Sequence, residues 1–195
     1  MEIRRVSGSD AIAVSLVAAM VDEVGELYEP GLPMGPSARP SELSPPGGGF
    51  VVLCEDGRAV AGGGIKRLDD RACEIKRMYV VPDARGRGLG RALLAALEEL
   101  ARDLGYLLAR LDTGDRQPRA RRMYERAGYA SVPDYNGNRY ASFWGEKRLA
   151  GPGERAGPAA ARGERAAAEV RGPGGAPEDR GPVGAPEDRG PGGAP

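Results

Sequence analysis

Residues 85–90 read Arg85-Gly86-Arg87-Gly88-Leu89-Gly90, directly after the strand-like run Glu74-Ile75-Lys76-Arg77-Met78-Tyr79-Val80-Val81 and directly before a helical run from Arg91 to Leu104. A turn rich in glycine and arginine that opens a helix makes an anion cradle. Its glycines lack a Cβ, so backbone N–H groups can converge on a pyrophosphate, and the helix N-terminus adds roughly half a positive charge. The expected ligand is a phosphorylated cofactor. Spacing narrows the choice: a dinucleotide fingerprint G-x-G-x-x-G needs a third glycine where Arg91 stands, and the G-x-x-x-x-G-K-[ST] of a P-loop is absent.

The same turn contains Arg85-x-x-Gly88-x-Gly90, preceded by Val80-Val81-Pro82. In that setting it resembles the acetyl-CoA signature R/Q-x-x-G-x-G/A of the GNAT superfamily of N-acetyltransferases. Two further segments share the resemblance. Gln117-Pro118-Arg119-Ala120-Arg121-Arg122-Met123-Tyr124-Glu125-Arg126-Ala127-Gly128-Tyr129 is similar to the family's N-x-x-A-x-x-x-Y-x-x-x-G-F/Y helix, with Gln117 in place of the usual Asn, and Ser142 to Leu149 is similar to the closing strand.

The resemblance implies an α+β fold over residues 1–150: a central mixed, mostly antiparallel twisted sheet flanked by helices. It implies acetyl-CoA as acetyl donor, with no metal. Main-chain groups of Met78, Tyr79 and Val80 would pair with the pantetheine arm, and Arg85, Gly86, Arg87, Gly88, Leu89, Gly90 and Arg91 would hold the pyrophosphate. Gln117 would touch the pantetheine. Tyr124 stands where relatives carry a tyrosine that donates a proton to the leaving sulfur, and Glu74 lies at the interval from Arg85 that separates the general base from this turn in the histone-acetylating branch. A homodimer is common in the family.

Composition bounds the alternatives. The 195 residues carry 28 Lys and Arg against 28 Asp and Glu, so no global basic field points to nucleic acid or an anionic membrane. With no histidine, a His-dependent triad and the usual zinc sites are impossible. Cys54 and Cys73, isolated in strand-like runs, read as small buried hydrophobes. Glu2, Arg4 and Arg5 precede no long apolar core and no stretch approaches ~18 apolar residues, so the chain reads as cytoplasmic.

Residues 151–195 differ in character. They are rich in glycine and proline, hold no aromatic residue, and contain a nine-residue repeat beginning at Arg171, Arg180 and Arg189. Such a segment cannot offset its ordering entropy by burial and is expected to be a disordered tail. Collagen is excluded, because Glu178 and Glu187 fall where the triple helix accepts only glycine.

Along residues 1–150, Glu2 to Val6 reads as a strand. Ser7-Gly8-Ser9-Asp10 reads as a capping-box start for a helix whose buried stripe is Val14, Val17, Val21 and Val24, flanked by Leu16, Met20 and Leu27. A long Pro/Gly-rich loop, Glu29 to Gly49, follows. Phe50 to Cys54, Ala59 to Leu68 and Ala72 to Val81 form an antiparallel meander, with a bulge or close packing at Gly62, Gly63 and Gly64. The next helix buries Leu89, Leu93, Leu97, Leu100 and Leu104 and turns Glu98, Glu99, Arg102 and Asp103 outward. Tyr106 to Asp112 is a strand, Gln117 to Ala127 a helix opened by Pro118 and closed by Gly128, and two strands around the Pro133 to Tyr140 loop finish the domain.

Acetyl transfer to an amine poses two proton problems. A lysine-like amine of pKa ~10.4 is neutral at pH 7 only on the order of once in 2,500 molecules, so a base such as Glu74 is useful, unless Glu74 simply pairs with a neighbouring cation. A thiolate leaves more readily when a donor such as the Tyr124 phenol meets it; the alternative is a tyrosine packed in the core. The acceptor pocket is expected between the Glu29 to Gly49 and Asp134 to Tyr140 loops, suited to a small-molecule or amino-acid-like amine. The other reading is a non-catalytic acyl-CoA sensor or interaction module. A third, a nucleic-acid surface on Arg119, Arg121 and Arg122, is interrupted by Asp115 and Glu125.

Overall fold

The computed structural model describes residues 1–28 and 38–149. The tail reading and the first part of the long loop, residues 29–37, lie outside the described residues.

Strand β1 (Glu2–Val6) leads into helix α1 (Ala11–Leu27), and a short 3-10 turn (Pro40–Leu43) precedes the meander β2 (Gly49–Glu55), β3 (Arg58–Arg67) and β4 (Ala72–Val80). Helix α2 (Leu89–Asp103), β5 (Leu108–Gly114), α3 (Pro118–Arg126), β6 (Ala130–Ser131) and β7 (Ala141–Arg148) complete the chain order. The strands form one sheet in the order β1-β2-β3-β4-β5-β7-β6. Every pairing is antiparallel except β4 with β5. This is the mixed, mostly antiparallel architecture expected from the sequence.

The run Phe50–Cys54 is apolar without alternation because both faces of β2 are covered. Val51 and Leu53 join the core beneath α2, whereas Phe50, Val52 and Cys54 join the one beneath α1. Helix α2 buries Leu89, Leu93, Leu97 and Leu100 as expected, each contributing about 1.5–3 kcal/mol of transfer free energy. Two details differ. Leu104 is exposed at the helix end, and Glu98 points inward, where the Lys147 ammonium of β7 meets both its oxygens at 2.8 and 2.7 Å.

Helix α1 packs Val17, Val21 and Val24 of the expected stripe partly against the core and departs from it at the two ends. Ala13, Leu16 and Met20 are buried, while Val14 and Leu27 are exposed. The reason lies in β3: a Cβ on Gly62 would stand 2.7 Å from Leu16 Cδ1 and 2.8 Å from Phe50 Cε1, so the glycines let Leu16 settle onto the strand. The cap is Asp10, whose carboxylate accepts the Ile12 N–H at 2.9 Å.

The irregularity foreseen at the glycines is present, but its extra residue belongs to β4. Gly62 faces Tyr79 and Gly64 faces Lys76, so two residues, Arg77 and Met78, oppose Gly63. Arg77 adopts φ +59° there. A bulge of this kind re-aims the side chains that follow it.

Candidate active site

The parallel ladder between β4 and β5 is short. It joins Ala72 to Leu108, Cys73 to Ala109 and Glu74 to Arg110, and then stops. Beyond that point β4 stays with β3 and β5 stays with β7, so the two strands part and leave a seam. A cavity of about 160 Å³ opens on it. Lys76, Arg77 and Met78 line it from β4, Asp112 to Gly114 from β5, Gln117, Ala120 and Tyr124 from the α3 side, Met20 and Tyr28 from the α1 side, and Asn138 and Tyr140 from the late loop.

The glycine turn sits at one end of the seam. Gly86 and Gly88 hold φ +79° and +83°, a conformation that glycine adopts freely, and open space surrounds both. Gly88 caps α2 with no side-chain hydrogen bond. Its carbonyl accepts from Arg91 and Ala92 at 3.0 and 3.1 Å, and among the described residues no acceptor takes the N–H of Gly86, Arg87, Gly88, Leu89 or Gly90. Five backbone donors are therefore available to an anion at a helix N-terminus.

The turn's arginines divide by partner. Arg85 donates to the Val80 carbonyl at 2.9 Å and to Glu23 at 2.7 Å, and it stacks over Tyr79. That hydrogen bond holds the Glu23 carboxyl below its ordinary range. Arg87 pairs with Glu55 at 2.9 Å. The charge of both is thus already matched within the fold, and they position the turn. Arg91 lies instead with Arg119, Arg122 and Arg126 along a second cavity of about 510 Å³. Among the described residues none of these four guanidinium groups has a carboxylate within ion-pair distance. Arg121, by contrast, pairs with Glu125 at 2.9 Å.

Tyr124 is buried at the cavity wall. Its hydroxyl meets only the Met78 sulfur, at 3.7 Å, and burial pushes its acidity well below that of a free phenol. A phenol kept neutral in this way retains its O–H as a hydrogen-bond donor. Gln117 also lines the cavity, its side-chain carbonyl accepting from the Thr113 hydroxyl at 3.1 Å. Of the β4 residues, Met78 faces the cavity, Tyr79 turns to the α1 side and donates to Glu23 at 3.0 Å, and Val80 offers its carbonyl to Arg85.

Glu74 does not reach the cavity. Its side chain is 0% exposed and is met by Lys66 at 3.2 Å and Lys76 at 3.0 Å. Tyr135 and Asn136 donate to it at 2.9 and 2.7 Å. The geometry supports the cation-pairing alternative over direct contact with an acceptor. The carboxylate at the cavity wall is Asp112, held by Lys76 at 2.8 Å, by Asn138 at 3.2 Å and by Asn136. Sequence reasoning passed over Asp112, whose only signal was its place at the end of an expected strand, and over Arg77, whose bulge leaves no mark in hydropathy. Cys73 is buried and free, its thiol pushed up to about 12, so it is inert.

The expected acceptor pocket is met in part. Asn138 and Tyr140 of the late loop line the cavity, while the described part of the early loop, residues 38–49, packs elsewhere: Leu43 is core, and the Gly47 carbonyl accepts from Tyr106 at 2.6 Å.

This geometry has known counterparts. Uncharacterized N-acetyltransferase YjgM of Escherichia coli is 35% identical over 95 residues, which span 47% of this chain and 56% of the relative. A solved Klebsiella pneumoniae protein assigned as an acyl-CoA N-acyltransferase is 30% identical, with TM-score 0.60 over 76% of this chain and 97% of that one. A GNAT family acetyltransferase from Elizabethkingia anophelis, solved with acetyl-CoA bound, shares the fold at 14% identity and TM-score 0.55, over 76% of this chain and 97% of that one. The acetyltransferase (GNAT) family model matches residues 17–129. With more than half of its 195 residues so matched, and with the open seam and helix-capping glycine turn in place, the chain belongs to the GNAT acetyltransferase family.

Proposed function

We propose that this chain transfers an acetyl group from acetyl-CoA to the primary amine of a small-molecule or amino-acid-like acceptor by direct attack in a ternary complex. The observation that carries the reading is the seam: β4 and β5 part after Glu74 and Arg110, between a turn with five unpartnered N–H groups and a cavity walled by Tyr124 and Asp112. The residues present fit the donor. Amides of residues 86–90 suit a diphosphate, the free edge of β4 from Met78 to Val80 suits the amides of the pantetheine arm, and Gln117 has an uncommitted side-chain N–H₂ beside it.

Acetyl-CoA supplies an acyl carbon activated by a sulfur leaving group. The chain's own residues handle orientation and protons. Asp112 would hold the acceptor's ammonium and draw off its proton, leaving a nitrogen lone pair free to attack. Tyr124 would give its phenolic proton to the departing sulfur, regaining one from solvent. Glu74 would act as a positioning residue, fixing Lys76 and Asn136, which in turn fix Asp112.

Titration calorimetry with acetyl-CoA, followed by free-thiol detection with an amine panel, tests the proposal. Saturable binding and thiol release that needs an amine are expected. Absence of binding heat from the folded chain overturns it, and binding without thiol release across the panel favours an acyl-CoA-binding module.

A further inference from the structure

Among the described residues, three charged side chains line the cavity: Lys76, Arg77 and Asp112. Lys76 and Asp112 pair at 2.8 Å. Among the described residues Arg77 has no carboxylate within ion-pair distance, and its Nε is buried without a hydrogen-bond partner. Burial weakens its hold on the proton, and the field of Asp112 offsets this in part. A buried guanidinium nitrogen without a partner is a costly thing for a fold to keep.

Its placement requires special backbone. In a regular strand Lys76 and Arg77 would point to opposite faces. Here Arg77 sits at the bulge with φ +59°, on the strand edge where the cavity opens and where Ile75, Lys76 and Met78 also line it. That φ is uncommon for a residue with a side chain.

We infer that Arg77 receives the carboxylate of the acceptor, so that this site takes small amines that carry a carboxylate, amino acids above all. The inference rests on the amine-acceptor reading and narrows it. A planar guanidinium matches a carboxylate through two parallel hydrogen bonds. Asp112 supplies the opposite sign on the same wall, so a zwitterion has one favoured orientation, ammonium to Asp112 and carboxylate to Arg77. Lys76 divides its charge between Glu74 and Asp112, and with Arg77 added the three charged residues of the wall sum to one net positive charge, which a carboxylate cancels. The cavity, at about 160 Å³, is below the ~300–1,000 Å³ of drug-sized pockets and favours a compact acceptor.

The test compares matched trios: an amino acid, its carboxamide and the corresponding decarboxylated amine, for several side chains, with acetyl-CoA and the full chain. The wild type should use the acid with kcat/KM roughly 10- to 100-fold above the other two, the factor expected of a charge-assisted pair. Arg77→Gln should bring the ratio of acid to amide toward one, chiefly through KM, and Arg77→Lys should keep part of it. Acetyl-CoA affinity reports whether each variant is folded, and the wild-type trio needs no variant at all. Equal use of the three compounds by the wild type, or a parallel loss on acid and amide in Arg77→Gln, overturns the inference while leaving acetyl transfer intact. Where acetyl-CoA binds but no trio turns over, calorimetric titration of the coenzyme A-saturated chain decides, preference for the acid supporting the inference and no preference overturning it. No acetyl-CoA binding at all removes the proposed function and this inference together.

Discussion

The two ends of β4 contain the same kinds of side chain and use them in opposite ways. At the end paired with β5, Glu74 is enclosed by Lys66, Lys76, Tyr135 and Asn136, so each strong charge has a partner inside the fold. At the end that parts from β5, among the described residues Arg77 has none, the Tyr124 hydroxyl finds only a sulfur, and the turn beyond leaves five amides free. Glu74 Oε2, which makes no hydrogen bond, still faces the Lys66 ammonium, whereas Arg77 Nε faces no counter-charge among the described residues, and we read the latter end as the one a ligand completes. The closed end is architecture, and the open end is where we propose the chemistry.

The comparison breaks most readily at Tyr124. Tyr124→Phe should lower kcat by ~10²- to 10⁴-fold, the usual worth of positioned acid catalysis, with little change in thermal midpoint because the lost hydroxyl bonds only Met78. Steady-state thiol release checks it, and a loss under about threefold removes the donor role.

At the closed end the damage should fall on stability. Glu74→Ala strands Lys66, whose side chain is only 16% exposed, and leaves Lys76 with Asp112 alone; breaking a buried pair in this way costs about 3–5 kcal/mol. Urea unfolding measures this. A cost below about 1 kcal/mol would mean that the cluster behaves like a solvated surface pair.

Gly88→Glu should weaken acetyl-CoA binding about tenfold or more, since φ +83° strains any residue with a Cβ by about 1–3 kcal/mol and the new carboxylate repels a diphosphate. Calorimetry reads this directly, and unchanged affinity would place the diphosphate elsewhere.

The smallest effect concerns pH. The Arg85 hydrogen bond lowers the Glu23 pKa, so the pair stabilises the fold above the ordinary glutamate range, and this contribution is lost as pH falls through the lowered value. Both side chains are more than a third exposed, so screening limits it to under about 1 kcal/mol. Urea midpoints of wild type and Glu23→Gln should differ at neutral pH and converge in acid; a gap that widens in acid would reverse the sign.

Much of the frame was legible residue by residue. The leucine stripe of α2, the glycine turn that caps it, Pro118 opening α3 and the apolar run of β2 all stand where the pattern put them, because each depends on a few contiguous side chains. Misreadings cluster where distant segments meet. Glu98 lies on what a helical projection makes the outer face, yet β7 folds Lys147 over it. Val14 satisfies the period as well as Ala13 does, and only the bare glycine surface of β3 chooses between them. Glu74 was legible as a carboxylate in a strand, but not as one closed in by Lys66, from a different strand, and by Tyr135 and Asn136, which lie some sixty residues away.

By itself the sequence determined the glycine turn, because a positive φ and a row of free amides need only glycines at set positions before a helix. Tertiary structure alone decided which carboxylate and which arginine reach the cavity. Those outcomes depend on where β4 leaves β5 and on a one-residue bulge, and both are settled by the packing of strands far apart in the chain.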